Sequence, residues 1–167
     1  MKRWVVILVI IGMLGYAVYG FVTREQVPVE GLEVGNLAPD FELETLEGET
    51  VKLSDLKGQK VFLNFWASWC GPCRSEMPDM QKFHEDRDDV TILAVNVNDR
   101  PENVDEFLEE YGITFPILPD EGTAVSTQYS IQLLPTSYLI DSEGKIEHIA
   151  KGALHYEDMV DYFDKMD

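Results

Sequence analysis

The stretch 60-KVFLNFWASWCGPCRSEMP-78 decides the fold, because its periodicity changes abruptly within it. Lys60 to Ala67 is an almost unbroken apolar run, as expected of a strand buried on both faces. Cys70 and Cys73, the only cysteines in the chain, follow at once with Gly71 and Pro72 between them. Met77, Met80 and Phe83 then recur by threes, which predicts a helix to about Arg87. A strand running straight into a helix puts Cys70 at the helix N-terminus, where unpaired N–H groups and the helix dipole favour a thiolate. Thiols so placed have pKa values of roughly 3.5–7.5, and the thiolate is the attacking species. Cys73 lies one turn on, close enough to resolve a mixed disulfide. Pro72 falls in the first turn, where its missing N–H costs nothing, and Gly71 permits close approach by a partner peptide. So short a loop removes little chain entropy, so the pair is better explained by chemistry than by stapling. A zinc site would need two more ligands, and His84, His148 and His155 offer no second pair at zinc spacing.

Outward from this stretch, strands and helices alternate. Phe41 and Leu43, then Val51 and Leu53, alternate with polar residues around Glu47-Gly48 and predict a small hairpin. VTILAVNV (90–97) reads as a second buried strand. Pro101 opens an amphipathic helix with Val104, Phe107, Leu108 and Tyr111 on one face. A short strand, ITFPIL, is expected to end at Pro119-Asp120, followed by a short helix over about 122–129. PTSYLID and GKIEHIAKG, joined by the Asp141–Gly144 turn, predict an antiparallel hairpin, and Tyr156, Met159, Val160 and Phe163 mark a last helix. This order describes an α/β domain with a mixed sheet.

At the N-terminus, Trp4 to Val22 holds nineteen residues without a charge, about the ~20 needed to span a bilayer as a helix. Lys2 and Arg3 precede the run, so the N-terminus is expected in the cytoplasm and the remainder outside. A cleaved secretory signal is the rival reading, with Gly15-Tyr16-Ala17 its best cleavage site, and both readings export the domain. The expected organisation is a signal-anchor at 1–23, a polar linker at 24–36 and one domain at 37–167. The chain of 167 residues carries a formal charge of −18, or −20 with Lys2 and Arg3 set aside. Nucleic acid is thereby disfavoured as a partner, since the phosphate backbone needs a basic face. The acidity reads as a solubilising coat or as steering of a basic partner.

WASWCGPC followed by the distant LLPTSYLID resembles the thioredoxin superfamily. The apolar N-terminus, the segment VGNLAPDFELETLEGETVKLSDLKGQKVFLNFW and the extra helix and strand at about 100–120 are similar to its membrane-anchored ResA/TlpA-like branch. The resemblance implies a thioredoxin-like fold with an N-terminal β-hairpin and a central helix-strand insertion, preceded by one transmembrane helix. It implies Cys70 as exposed nucleophile, Cys73 as resolving thiol, and Pro135 as a cis-proline facing their disulfide. Leu134 and Thr136 would offer backbone groups to an extended substrate, and Trp69 would form part of the docking surface. Asn64 stands where cytoplasmic thioredoxin has a buried aspartate, so another group must take the proton of Cys73. Glu76, at i+3 from Cys73, matches an active-site glutamate of the branch; the alternative is one more solvated acid. The implied activity is reduction of protein disulfides outside the cytoplasm, as in apocytochrome c during cytochrome c maturation or in spore-envelope assembly. Electrons would come from a membrane donor of the CcdA/DsbD type, with no cofactor beyond the redox-active disulfide, and a monomer is expected. Two other classes compete. A peroxiredoxin-like thiol peroxidase needs Pro and Thr seven and three positions before its reactive cysteine, where this chain has Leu63 and Ala67. A redox-inert docking module has no use for both cysteines and Pro135.

Overall fold

The computed structural model describes residues 12–16, which are helical, and residues 29–166. The expected membrane-spanning segment at 1–23 otherwise lies outside the described residues, among which no helix is long and apolar enough to cross a membrane. The helix-strand order of the domain follows the apolar pattern. β1 (Glu42–Glu44) and β2 (Thr50–Lys52) pair as an antiparallel hairpin through a turn in which Gly48 takes φ +85°. A 3-10 turn (Leu53–Leu56) leads into β3 (Lys60–Trp66), then α1 (Gly71–Asp86) and β4 (Val90–Val97). The insertion supplies α2 (Pro101–Tyr111) and β5 (Ile117–Asp120). α3 (Ala124–Gln128), β6 (Thr136–Ile140), β7 (Ile146–Lys151) and α4 (Tyr156–Asp164) complete the domain.

The five-stranded sheet has the order β5-β4-β3-β6-β7. β3 lies at its centre, parallel to β4 and antiparallel to β6, and every residue from Val61 to Trp66 is buried. Its side chains alternate between two cores, as the period of a strand requires. Phe62 and Trp66 face α1, α2 and α4, meeting Phe83, Phe163 and Phe107; the Trp66 and Phe107 rings are 4.9 Å apart. Leu63 and Phe65 face Phe41, Leu53, Val125, Tyr129 and Tyr138 on the other side. These buried aromatic rings bring the largest apolar area per residue to each core.

Two expectations shift. β5 begins at Ile117 rather than Ile113, because Gln81 of α1 captures Thr114, accepting its N–H at 2.9 Å and donating to its hydroxyl at 2.8 Å. Pro119 stays inside β5, which is tolerated because this is an edge strand. The segment expected as a linker is fastened to the domain from Gly31 onward. Gly31 N–H donates to the Leu37 carbonyl, Gly35 N–H to Ile146 and Ala38 N–H to Gly144, so residue 36 lies within a hydrogen-bonded stretch.

Candidate active site

β3 delivers the chain into a tight turn, Ala67–Cys70, closed by the Cys70 N–H donating to the Ala67 carbonyl at 3.2 Å. Cys70 is then the N-cap of α1, its backbone extended at φ −84° and ψ 110°, and its sulfur accepts the Cys73 N–H at 3.2 Å. A helix N-terminus thus already aims a donor at this sulfur, the arrangement that lowers a thiol's pKa. Cys70 and Cys73 are joined as a disulfide. Cys73 is fully buried, whereas Cys70 keeps a small accessible rim. Gly71 and Pro72 are exposed beside it, and Trp69 is 67% exposed.

Glu76 is no solvated acid. One turn beyond Cys73, it is fully buried, with Oε1 accepting the Leu154 N–H at 2.9 Å and Oε2 accepting from Asn64 Nδ2 at 3.1 Å. Burial pushes its pKa up to about 7, against the pull of the hydrogen bonds from Leu154 and Asn64; the charge of Asp79 adds to the rise. Asn64 Nδ2 also donates to the Ser137 hydroxyl at 2.9 Å, which leaves Asn64 Oδ1 buried without a partner. A carboxyl that changes charge near neutral pH therefore sits in the same core as Cys73.

The Leu134–Pro135 peptide bond is cis. The register pairs Thr136 with Phe65 of β3 and with Lys151 of β7, so Pro135 lies where β3 runs out into the redox turn. The Pro135 carbonyl accepts the Gly152 N–H at 2.9 Å. Thr136 opens β6, which lies between β3 and β7. Its side chain is committed, with the hydroxyl donating to the Leu133 carbonyl at 2.7 Å. Leu134, half-buried, precedes the ladder.

Three contacts at the site have no counterpart in the sequence expectations. Ser137 supports Asn64, a partnership set by the register that places the two residues opposite each other. The other two, Asp99 and Arg74, both reach the backbone of Ser68. Parallel pairing of β3 and β4 brings the chain just beyond each strand together, and that is the signal that could have pointed to Asp99.

A fully buried sulfur behind one with an accessible rim at a helix N-terminus, beside a cis-proline strand, defines a dithiol–disulfide oxidoreductase of thioredoxin-like fold. Residues 34–149 match the AhpC/TSA family. The chain is 40% identical over 166 residues to the thiol-disulfide oxidoreductase ResA of Geobacillus thermodenitrificans, covering 98% of this chain and 94% of that protein. Among solved structures, StoA from Bacillus subtilis matches with a TM-score of 0.67 at 33% identity, over 75% of this chain and 96% of StoA. A thiol:disulfide interchange protein of the thioredoxin family from Chlorobium tepidum matches with a TM-score of 0.72 at 26% identity, over 86% of this chain and 99% of that one. The chain belongs to the ResA-type thiol-disulfide oxidoreductases within the AhpC/TSA family. Its redox centre is the Cys70–Cys73 pair, which removes the docking-module alternative. Leu63 and Ala67, where a peroxidase needs Pro and Thr, are fully buried.

Proposed function

We propose that the protein works as a reductant of disulfides in exported proteins, apocytochrome c among them, held at the outer face of the membrane by its N-terminal segment. The observation that carries the reading is the asymmetry of the pair: Cys70 at the rim on a helix N-cap, Cys73 in the core with Glu76. In the reduced protein the Cys70 thiolate attacks one sulfur of the substrate disulfide. A Cys70–substrate bond forms, the substrate S–S bond breaks, and the departing sulfur takes a proton. Cys73 then gives its proton to Glu76 and attacks the Cys70 sulfur. The Cys70–Cys73 disulfide forms as the Cys70–substrate bond breaks, the second substrate sulfur takes a proton from solvent to leave as a thiol, and Glu76 returns the Cys73 proton to solvent. The substrate gains two electrons and two protons and the enzyme dithiol is oxidised. A carboxyl held near pH 7 suits the second step, because proton transfer is most effective when the acceptor titrates near the working pH. A membrane electron donor of the CcdA/DsbD type would restore the dithiol. Leu134 and Trp69 provide the docking edge, with Gly71 and Pro72 clearing its approach.

The test is a Cys73→Ala variant of the full chain expressed in cells that make c-type cytochromes. Cys70 should accumulate mixed disulfides with exported proteins, apocytochromes included, identifiable by mass spectrometry after trapping. Trapped proteins lacking apocytochromes would remove the haem-maturation role, and adducts confined to cytoplasmic proteins would remove the extracytoplasmic one.

A further inference from the structure

Ser68 is the second residue of the turn that presents Cys70, and its own N–H and carbonyl take no part in closing that turn. The residue is only 7% exposed, so both groups need partners inside the protein. Each finds a charged side chain. The N–H donates to Asp99 Oδ2 at 2.7 Å, and the carbonyl accepts from Arg74 Nη1 at 3.4 Å. Asp99, just beyond β4, is itself fixed by the Arg100 N–H at 2.9 Å on Oδ1 and by Asn96 Nδ2 at 3.5 Å. Burial would raise its pKa, but the hydrogen bonds from Ser68, Arg100 and Asn96 outweigh that and hold it below the usual carboxylate range, so the clamp is ionised. Arg74 is held from the insertion: Nη2 donates to both oxygens of Glu110 at 3.2 and 3.0 Å, and the guanidinium lies 5.2 Å from the ring centres of Phe107 and Tyr111. Stacking together with a forked ion pair is a geometry that lysine cannot reproduce.

We propose that Asp99 and Arg74 are positioning residues of the dithiol exchange: gripping the two peptide groups on either side of Ser68, they fix the turn that presents Trp69 and Cys70, and through Arg74 they make the insertion helix α2 part of the redox site. The inference rests on Cys70 being the attacking thiol, which the trapping experiment tests separately. A purely electrostatic role would have a different signature. Removing the carboxylate would then make Cys70 a stronger acid and removing the guanidinium a weaker one, whereas loss of a clamp slows attack in both cases.

The test compares reduced, purified Asp99→Ala, Arg74→Ala and the double variant with the parent protein, using insulin as disulfide substrate. The readouts are kcat/KM, the pH midpoint of Cys70 thiolate absorbance, and the change in tryptophan fluorescence between reduced and oxidised forms. Each single variant should lose roughly tenfold in kcat/KM, as for removal of one charge-assisted hydrogen bond, and should show a smaller fluorescence change. The double variant should lose little more than either single one, since both act on one turn. Asp99→Asn, which keeps an acceptor oxygen, should recover most of the rate. Where the alanine variants fail to fold, Arg74→Lys and Glu110→Gln carry the test, and each should be slower than the parent. Rates and thiolate midpoints that move in opposite directions for Asp99 and Arg74 would overturn the proposal, as would folded variants indistinguishable from the parent.

Discussion

Replacing Glu76 with glutamine removes a titration from the core while preserving the shape of the side chain. The carboxyl pKa rises from the ordinary 4.5 to about 7 on folding, so the folded protein holds a proton that the unfolded chain has released between these values. The stabilising contribution of this group is therefore full below about pH 4.5 and is lost as pH rises through about 7. At ~1.36 kcal/mol for each tenfold change in proton affinity, the full loss is about 3.4 kcal/mol, with about 2.5 kcal/mol of it falling between pH 5 and pH 8. Glutamine does not titrate and escapes this loss. The pocket can accept it: the new carbonyl oxygen can take the Leu154 N–H, and the new amide can face Asn64. A flip of the Asn64 amide turns its Oδ1 toward both that amide and the Ser137 hydroxyl and leaves Nδ2 on the side where Oδ1 now lacks a partner, a cost that is the same at every pH. Urea unfolding of the oxidised protein at several pH values provides the assay, since the disulfide keeps both cysteines from titrating. Stability should fall by ~2.5 kcal/mol more in the parent than in Glu76→Gln between pH 5 and pH 8. Parallel stability curves for the two proteins would refute the reasoning, because they would mean that Glu76 titrates alike in the folded and unfolded states.

Three further outcomes follow from the packing. Trp66→Ala empties a fully buried site against Phe107 and should cost ~3–5 kcal/mol in denaturant unfolding. Asp120, also buried, accepts the N–H groups of Val125 and Ser126 at 3.2 and 2.7 Å, so Asp120→Ala should cost roughly 1–3 kcal/mol by the same measurement and increase hydrogen exchange at those two amides. Trp69→Ala, at an exposed position, should change stability by less than about 0.5 kcal/mol while raising KM for protein disulfides in steady-state assays.

The strand, the redox turn and α1 were legible because their signals are local: an apolar run, a cysteine pair and spacing by threes. The closing hairpin was equally legible from its polar turn. Glu76 could be nominated from its helical offset to Cys73, but its burial could not, since that depends on Leu154 arriving from a segment 78 residues away. The strand pairing of Thr136 was out of reach for a related reason. Whether a residue's carbonyl points into the ladder or away from it is a matter of strand parity, which only the observed register decides. The Ser68 clamp was hidden because Asp99 lies 31 residues from it, and only the parallel pairing of β3 with β4 joins them. Acidic residues are so common in this chain that composition could not mark Asp99 as different from its neighbours.

The fastening of residues 31–38 has a directional consequence. These residues bind the turn between β6 and β7, which adjoins the start of β3 through the Val61–Ile140 pairing, whereas the disulfide follows the end of β3. Seven strand residues at about 3.3 Å each separate the two points by roughly 20 Å. The chain thus enters the domain at one pole and carries its sulfur chemistry at the other. A partner docking at Cys70 therefore meets the pole opposite to the one at which residues 31–38 are fastened.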